Sequence, residues 1–245
     1  MRYNVGMRPD IVNLRQFYSS RLGRRVKLLL RQAVLDHWVM TGDETLLGIG
    51  YAAPLLRVLE RQGARSVALM PRETGAIYWP VHGANRSVLG DALRPPFGAN
   101  TLQRIVVLHG FEYETRPDEL LAIAWELLAP GGRLLLVVPN RRGLWSGIGR
   151  TPFATGTPYA LSQLRELLAA AQFTLRDSSA ALFAPPSAHP LWQRVSAVME
   201  WLGRTLCPVF GGVLIVDAEK QIYAGVMQPV TAKRPVQWAA KGIPA

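Results

Sequence analysis

The chain has 245 residues, 49% of them hydrophobic, which predicts one well-packed α/β domain and excludes wholesale disorder. One cysteine, Cys207, excludes a disulfide framework and a cysteine-based zinc site, and no apolar run is long enough to span a bilayer. The net charge of +11 favours an anionic partner, either nucleic acid, an acidic membrane surface or an acidic small molecule. Arginine on solvated faces would give the same charge, and no signature of a nucleic-acid-binding module is present.

Residues 1–40 are predicted to form an N-terminal helical cap. Apolar residues recur at spacings of three and four over Ile11–His37, and Gly23 is expected to divide this stretch into two helices. Phe17 and Tyr18 are expected in the core, with a lid over a ligand site as the alternative. One face of these helices is expected to dock on the rest of the domain, and the other is expected to be basic. The basic residues, which fall largely between the apolar positions, are Arg15, Arg21, Arg24, Arg25, Lys27 and Arg31.

The stretch Thr45–Pro54 is predicted to be a buried strand that breaks at Gly48 and Gly50 into a helix starting at Pro54. Such a junction is where α/β sheets bind nucleotides, because glycine lets the backbone pass close under a ligand. Ala52 is small enough for tight contact between helix and strand. An ordinary strand-to-helix turn would have the same pattern.

The rest of the chain alternates short apolar strands with amphipathic helices. Strands are predicted at 66–70, 87–89, 104–108, 134–138 and 212–216, a strand-like segment at 173–183, and helices at 117–128, 161–171 and 191–206. This alternation predicts a doubly wound, mostly parallel α/β sheet with helices on both faces. The loop between Arg72 and Arg86 is long enough to indicate a functional loop. We expect one domain over residues 1–228, a mobile basic tail over 229–245 and, since Met1–Gly6 does not resemble a signal peptide, a cytoplasmic location.

Four segments succeed one another in an informative order. They are the GxG turn, Gly90-Asp91-Ala92 after the third strand, His109–Tyr113 at the end of the fourth, and Leu127–Leu134, which reads LLAPGGRL, before the fifth. This order resembles class I S-adenosylmethionine-dependent methyltransferases, above all the quinone-biosynthesis and small-molecule enzymes. The resemblance spans Leu46–Val138 and implies a Rossmann-like sheet with S-adenosylmethionine as the cofactor.

The resemblance also implies the cofactor site. Gly48 and Gly50 would lie against the methionine part, and Asp91 would accept a hydrogen bond from the adenine amine. His109 and Glu112 stand where a general base would be expected, at the mouth of the fourth strand, although a histidine there is equally suited to shaping the pocket. The implied cofactor-binding residues are Gly48, Gly50, Ala52, Met70, Asp91, Ala92, Leu108 and His109.

Three positions depart from the family pattern. Leu46 and Met70 stand where the family has acidic residues, and Ala52 stands where it has glycine. The missing ribose contact predicts cofactor binding weaker by roughly 1.5–3 kcal/mol, unless Glu73 substitutes for it. The alternative is therefore a methyltransferase-like protein without catalysis that serves as a binding or regulatory partner. The GxGxxA pattern with Arg72 also fits an NADP-dependent oxidoreductase.

The acceptor is predicted to be a small molecule or lipid-like compound ahead of RNA. Pro139–Arg142 comes after the fifth strand but lacks the Asn-Pro-Pro-aromatic arrangement of amino-group methyltransferases. This difference disfavours DNA bases and glutamine as acceptors.

Overall fold

The structure is a computed structural model that describes residues 8–147, 151–187, 198–203, 205–206 and 208–221. Within these ranges no helix combines the length and the apolarity that crossing a membrane requires. The predicted tail over 229–245, most of the predicted helix at 191–206, and Cys207 lie outside the described residues.

The described residues form a seven-stranded sheet in the order β3-β2-β1-β4-β5-β7-β6. The first five strands run parallel, and β7 is antiparallel to both of its neighbours. The predicted doubly wound, mostly parallel sheet is therefore confirmed. The strands are β1 (Thr45–Gly50), β2 (Arg65–Pro71), β3 (Ser87–Gly90), β4 (Leu102–Leu108), β5 (Leu128–Pro139), β6 (Phe173–Ala181) and β7 (Val213–Lys220).

Helices cover both faces of the sheet because neighbouring strand residues point to opposite sides. On one face Leu46, Val106 and Leu135 pack under the first three helices, and on the other Leu47 and Ile105 pack under the last two. The helices are α1 (Ile11–Ser19), α2 (Arg21–His37), α3 (Ala53–Glu60), α4 (Pro117–Leu127) and α5 (Leu161–Ala170).

Two predicted boundaries are wrong. The N-terminal helices separate at Ser20, whose hydroxyl caps α2 by accepting from the Gly23 amide at 3.0 Å, and not at Gly23. Gly23 lies inside α2, where a Cβ would collide with the Phe17 carbonyl. The absence of a side chain at this position therefore allows the close turn between α1 and α2. β5 starts at Leu128 rather than Leu134, because the Pro-Gly-Gly segment joins the strand through a register shift against β4.

A buried carboxylate ties α2 to the far half of the sheet. Asp217 on β7 is fully buried and ion-paired with Arg133 on β5. Its Oδ1 also accepts a hydrogen bond from Trp38 Nε1, at the end of α2, at 3.1 Å. Because Trp38 and Asp217 are both buried, the three groups satisfy one another away from water.

Asp217→Ala is expected to lower the free energy of unfolding by about 3 kcal/mol, since it removes the carboxylate partner of a partly buried arginine and of a buried indole N–H. Urea unfolding measures the change. The control is Glu219→Ala on the same strand, where the partner Arg176 is half exposed and the expected loss is below about 1 kcal/mol. Equal losses in the two variants would contradict the assigned role of Asp217.

Candidate functional site

The carboxyl ends of β1 and β4 meet at a point that only glycine accommodates. Gly50 has a φ of +82°, and a Cβ there would collide with the carbonyl oxygen of Leu108. The next amide, that of Tyr51, donates to the same oxygen at 2.8 Å. The backbone at the end of β1 is therefore held directly against the start of the segment that carries His109.

Gly48 faces a helix. A Cβ at this position would lie 2.7 Å from Cβ of Ala52 and 2.8 Å from Cδ1 of Leu56. Gly48 and Ala52 thus let α3 pack closely on β1. Their contact with a cofactor stays a prediction.

The structure joins both candidate catalytic residues in one buried chain of hydrogen bonds. His109 Nδ1 donates to Glu112 Oε1 at 3.1 Å, and the Tyr18 hydroxyl lies 2.8 Å from His109 Nε2. The carboxylate accepts from Nδ1, so in the neutral form of the imidazole the proton lies on Nδ1 and Nε2 is the acceptor for Tyr18. His109 is fully buried, and Glu112 is nearly so.

Aromatic rings enclose this chain of hydrogen bonds. The Tyr18 ring stacks on Tyr51 at a centroid distance of 5.5 Å, and Phe153 lies 4.7 Å from the His109 ring. Burial raises the pKa of Tyr18 well above its ordinary value, and the charges of Tyr51 and Glu112 raise it further. The Tyr18 hydroxyl therefore keeps its proton across the physiological pH range.

Glu112 is a buried carboxylate with one oxygen unsatisfied. Among the described residues nothing hydrogen-bonds to its Oε2 atom. Its negative charge contributes to the raised pKa of Tyr113 and to that of Tyr159, about 12, although burial is the larger cause in both. An unpaired oxygen in an apolar and aromatic enclosure favours a cationic group beside it.

A polar cleft opens at the carboxyl ends of β2 and β3. Its volume is about 460 Å³, and it is lined by Arg8, Pro71, Glu73, Asp91, Ala92, Leu93, Tyr113, Glu114, Thr115 and Arg116. Arg8 lies 3.6 Å from Glu114 and 3.9 Å from Glu73, so one guanidinium partly neutralises the acidic wall. The cleft thus presents the carboxylates of Glu73, Asp91 and Glu114 to a ligand.

The predicted site residues fall into three groups. Asp91 and Ala92 line the cleft, and His109 lies with Glu112 in the buried chain of hydrogen bonds. The other predicted residues, Gly48, Gly50, Ala52, Met70 and Leu108, are buried and do not line the cleft.

Sequence reasoning did not assign Arg8, Tyr51, Tyr113 or Phe153 to the site. Tyr18 was expected in the core, with a lid as the alternative, and the structure shows it both buried and above His109. The sequence around an aromatic residue of an α/β protein does not indicate whether its side chain lines a pocket or belongs to the core. The contact between Tyr18 and His109 joins positions 91 residues apart.

The strand order and the antiparallel β7 belong to a fold that this chain shares with S-adenosylmethionine-dependent methyltransferases of known structure, and the resemblance seen in the sequence is confirmed at the level of the fold. A methyltransferase of Haloferax volcanii, solved with its activator Trm112, superimposes with a TM-score of 0.61 at 15% identity, covering 86% of this chain and 98% of that one. An S-adenosylmethionine-dependent methyltransferase of Thermotoga maritima gives a TM-score of 0.58 at 14% identity, with coverages of 86% and 96%.

No protein-family model matches the chain. The ubiquinone/menaquinone biosynthesis C-methyltransferase UbiE of Roseobacter denitrificans is 42% identical over 50 residues. This match spans a fifth of each protein. The sequence likeness is therefore local, while the likeness of fold extends over most of the chain.

Gly48→Ala is expected to lower the free energy of unfolding by about 1–3 kcal/mol, because its Cβ would overpack the contact of β1 with α3. Thermal and urea unfolding measure the loss. Gly147→Ala is the matched control, since a Cβ at Gly147 meets no atom of the described residues within 4 Å. An unchanged stability in Gly48→Ala would show that α3 does not depend on this close approach.

Proposed function

We propose that the protein is an S-adenosylmethionine-dependent methyltransferase that acts on a small-molecule or lipid-like acceptor. The observation that carries the proposal is the position of Asp91 in a polar cleft at the carboxyl ends of the strands of a methyltransferase fold, whose lining includes Tyr113 and Glu114, the residues directly after the buried Glu112. The local likeness to a ubiquinone/menaquinone C-methyltransferase favours a small or lipid-like acceptor over RNA.

The residues at this edge fit the two ends of S-adenosylmethionine. Asp91 and Glu73 supply the carboxylates that an adenine amine and ribose hydroxyls require, and both line the cleft. Met70, at the family's acidic position, is fully buried, whereas the Glu73 side chain is 71% exposed. Glu73 is therefore the carboxylate available to replace the missing acid. The unpaired oxygen of Glu112 suits the cationic end.

The cofactor supplies an electrophilic methyl group, so the protein needs mainly to position the acceptor and to exclude water. Tyr18, Tyr51 and Phe153 provide the dry, aromatic surroundings. Where the acceptor must lose a proton, His109 Nε2 is the atom that accepts it, and Glu112 holds the imidazole with its proton on Nδ1. This step requires the Tyr18 hydroxyl to leave Nε2, which it occupies at 2.8 Å.

The second candidate is a methyltransferase-like binding or regulatory protein without catalysis. The complete burial of His109 beneath Tyr18 favours it, because the predicted base has no open path to an acceptor in this conformation. The two candidates differ in whether a methyl group is transferred once the cofactor is bound. Methyl transfer from labelled cofactor to an extract of small molecules and lipids supports the enzyme, and tight binding without transfer supports the binding protein.

Asp91→Ala is expected to weaken binding of S-adenosylmethionine and S-adenosylhomocysteine by about 10- to 100-fold, the value of a charge-assisted hydrogen bond. Calorimetric titration measures the affinity, after mass spectrometry has shown that no ligand copurifies. Asp91→Asn is the matched control, since its amide oxygen still accepts from Leu93 N, as the carboxylate does at 2.8 Å. The loss in Asp91→Asn is expected to be smaller.

Two results would count against the proposal. Folded, ligand-free wild-type protein that does not bind the cofactor would exclude the methyltransferase. A wild-type affinity in Asp91→Ala would show that the cofactor does not bind in this cleft.

A further inference from the structure

A ridge of apolar side chains lies on the surface near the end of the described chain. Residues 198–203 and 205–206 are helical. Trp201 is 66% exposed and Leu206 70% exposed. We call the whole set the apolar ridge, and it consists of Val198, Trp201, Leu202 and Leu206.

Internal hydrogen bonds hold these side chains outward. Glu200, on the inner side of the helix, is buried and accepts from the amides of Leu182 and Phe183 at 3.2 and 2.7 Å. Gly203 lies against the Phe183 ring, where a Cβ would collide. Rotating the helix to bury Trp201 would expose Glu200 and break both hydrogen bonds. These bonds therefore stabilise the outward orientation of the apolar ridge.

A second surface, rich in positive charge, belongs to α2 and α3. Arg31 Nε donates to the Pro54 carbonyl at 2.7 Å, which ties α2 to the start of α3. Burial lowers the pKa of Lys27 and of Arg31, and the charges of neighbouring arginines lower both further. We call the group the basic face, and it consists of Arg24, Lys27, Arg31, Arg57 and Arg61.

The described residues do not neutralise the basic face. None of the ion pairs among the described residues includes any of its five members. Like charges gathered in this way repel one another, and an external anion relieves the repulsion.

The apolar ridge and the basic face flank the same helix. One side of α2 contacts α3, and on its other side Leu22, Arg25 and Leu29 share a groove with Glu200 of the ridge helix. Between the two sides Leu28 of α2 is 65% exposed. The outer face around α2 therefore combines exposed tryptophan, leucine and valine side chains with cations that form no ion pair among the described residues.

We propose that this face docks on the surface of an anionic lipid bilayer, with the apolar ridge in the interface and the basic face against the headgroups. Apolar and aromatic side chains beside lysine and arginine are the combination that interfacial binding requires. Nucleic acid would match the basic face but gives no partner to Leu28, Leu206 or Val198. A symmetric dimer through the ridge would bring two basic faces together, which like-charge repulsion opposes.

Vesicle flotation with the full chain tests the proposal, using vesicles of phosphatidylcholine alone and vesicles that also contain phosphatidylglycerol. The protein is expected to float with the anionic vesicles, to bind the neutral ones far less, and to be released by high salt. Cofactor is absent throughout, so the outcome does not depend on the proposed methyl transfer.

Two double variants separate the contributions of the surfaces. Trp201→Ser with Leu206→Ser, and Arg24→Glu with Arg57→Glu, are each expected to weaken vesicle binding by about tenfold or more. The matched controls are Val81→Ser, where the valine is 70% exposed in another loop, and Arg165→Glu, on α5 at the opposite face of the sheet. Both controls are expected to bind as the wild type does. Circular dichroism checks that each variant is folded.

Three outcomes overturn the proposal. The first is failure of the folded wild type to bind anionic vesicles. The second is charge-reversal variants that lose affinity for RNA while the wild type ignores vesicles. The third is a dimer, detected by light scattering, that the Trp201→Ser and Leu206→Ser variant dissociates.

Discussion

The close approach of β1 to its neighbours is the constraint on which the site depends. Gly48 lets α3 pack on the strand, and Gly50 lets the end of the strand meet the Leu108 carbonyl. Because Tyr51 is the next residue and donates to that carbonyl, its ring is brought beside Tyr18, which in turn contacts His109. A side chain at either glycine would push apart the elements that carry the candidate site.

This edge of the sheet then holds two different environments side by side. The open cleft offers solvated carboxylates at Asp91 and Glu73, suited to the hydroxyl and amine groups of a nucleoside. Behind it, Glu112 and His109 are buried among aromatic rings, where an uncompensated charge is costly. A ligand with a polar end and a cationic end matches both environments. That match is the physical basis of the proposed cofactor.

The proposed lipid-binding face is separate from this cleft. The cleft is lined by residues that follow β2, β3 and β4, whereas the ridge helix packs against Leu182 and Phe183, which follow β6 at the opposite end of the strand order. α1 connects the two regions, since it precedes α2 directly and carries Tyr18 onto His109. The proposed lipid-binding face and the Tyr18 contact are therefore carried by adjacent helices.

The sequence by itself determined the alternation of strands and helices, the mostly parallel sheet and the order of the methyltransferase-like segments, because these depend on local periodicity and on glycine and proline at fixed positions. It also placed Asp91 and His109 at strand ends. Only the tertiary structure decided that Tyr18 pairs with His109, that Asp217 meets Arg133 and Trp38, and that the ridge helix turns Trp201 outward. Those contacts join residues far apart in the chain, and a side chain's spacing along its own helix or strand does not reveal which distant partner will satisfy it.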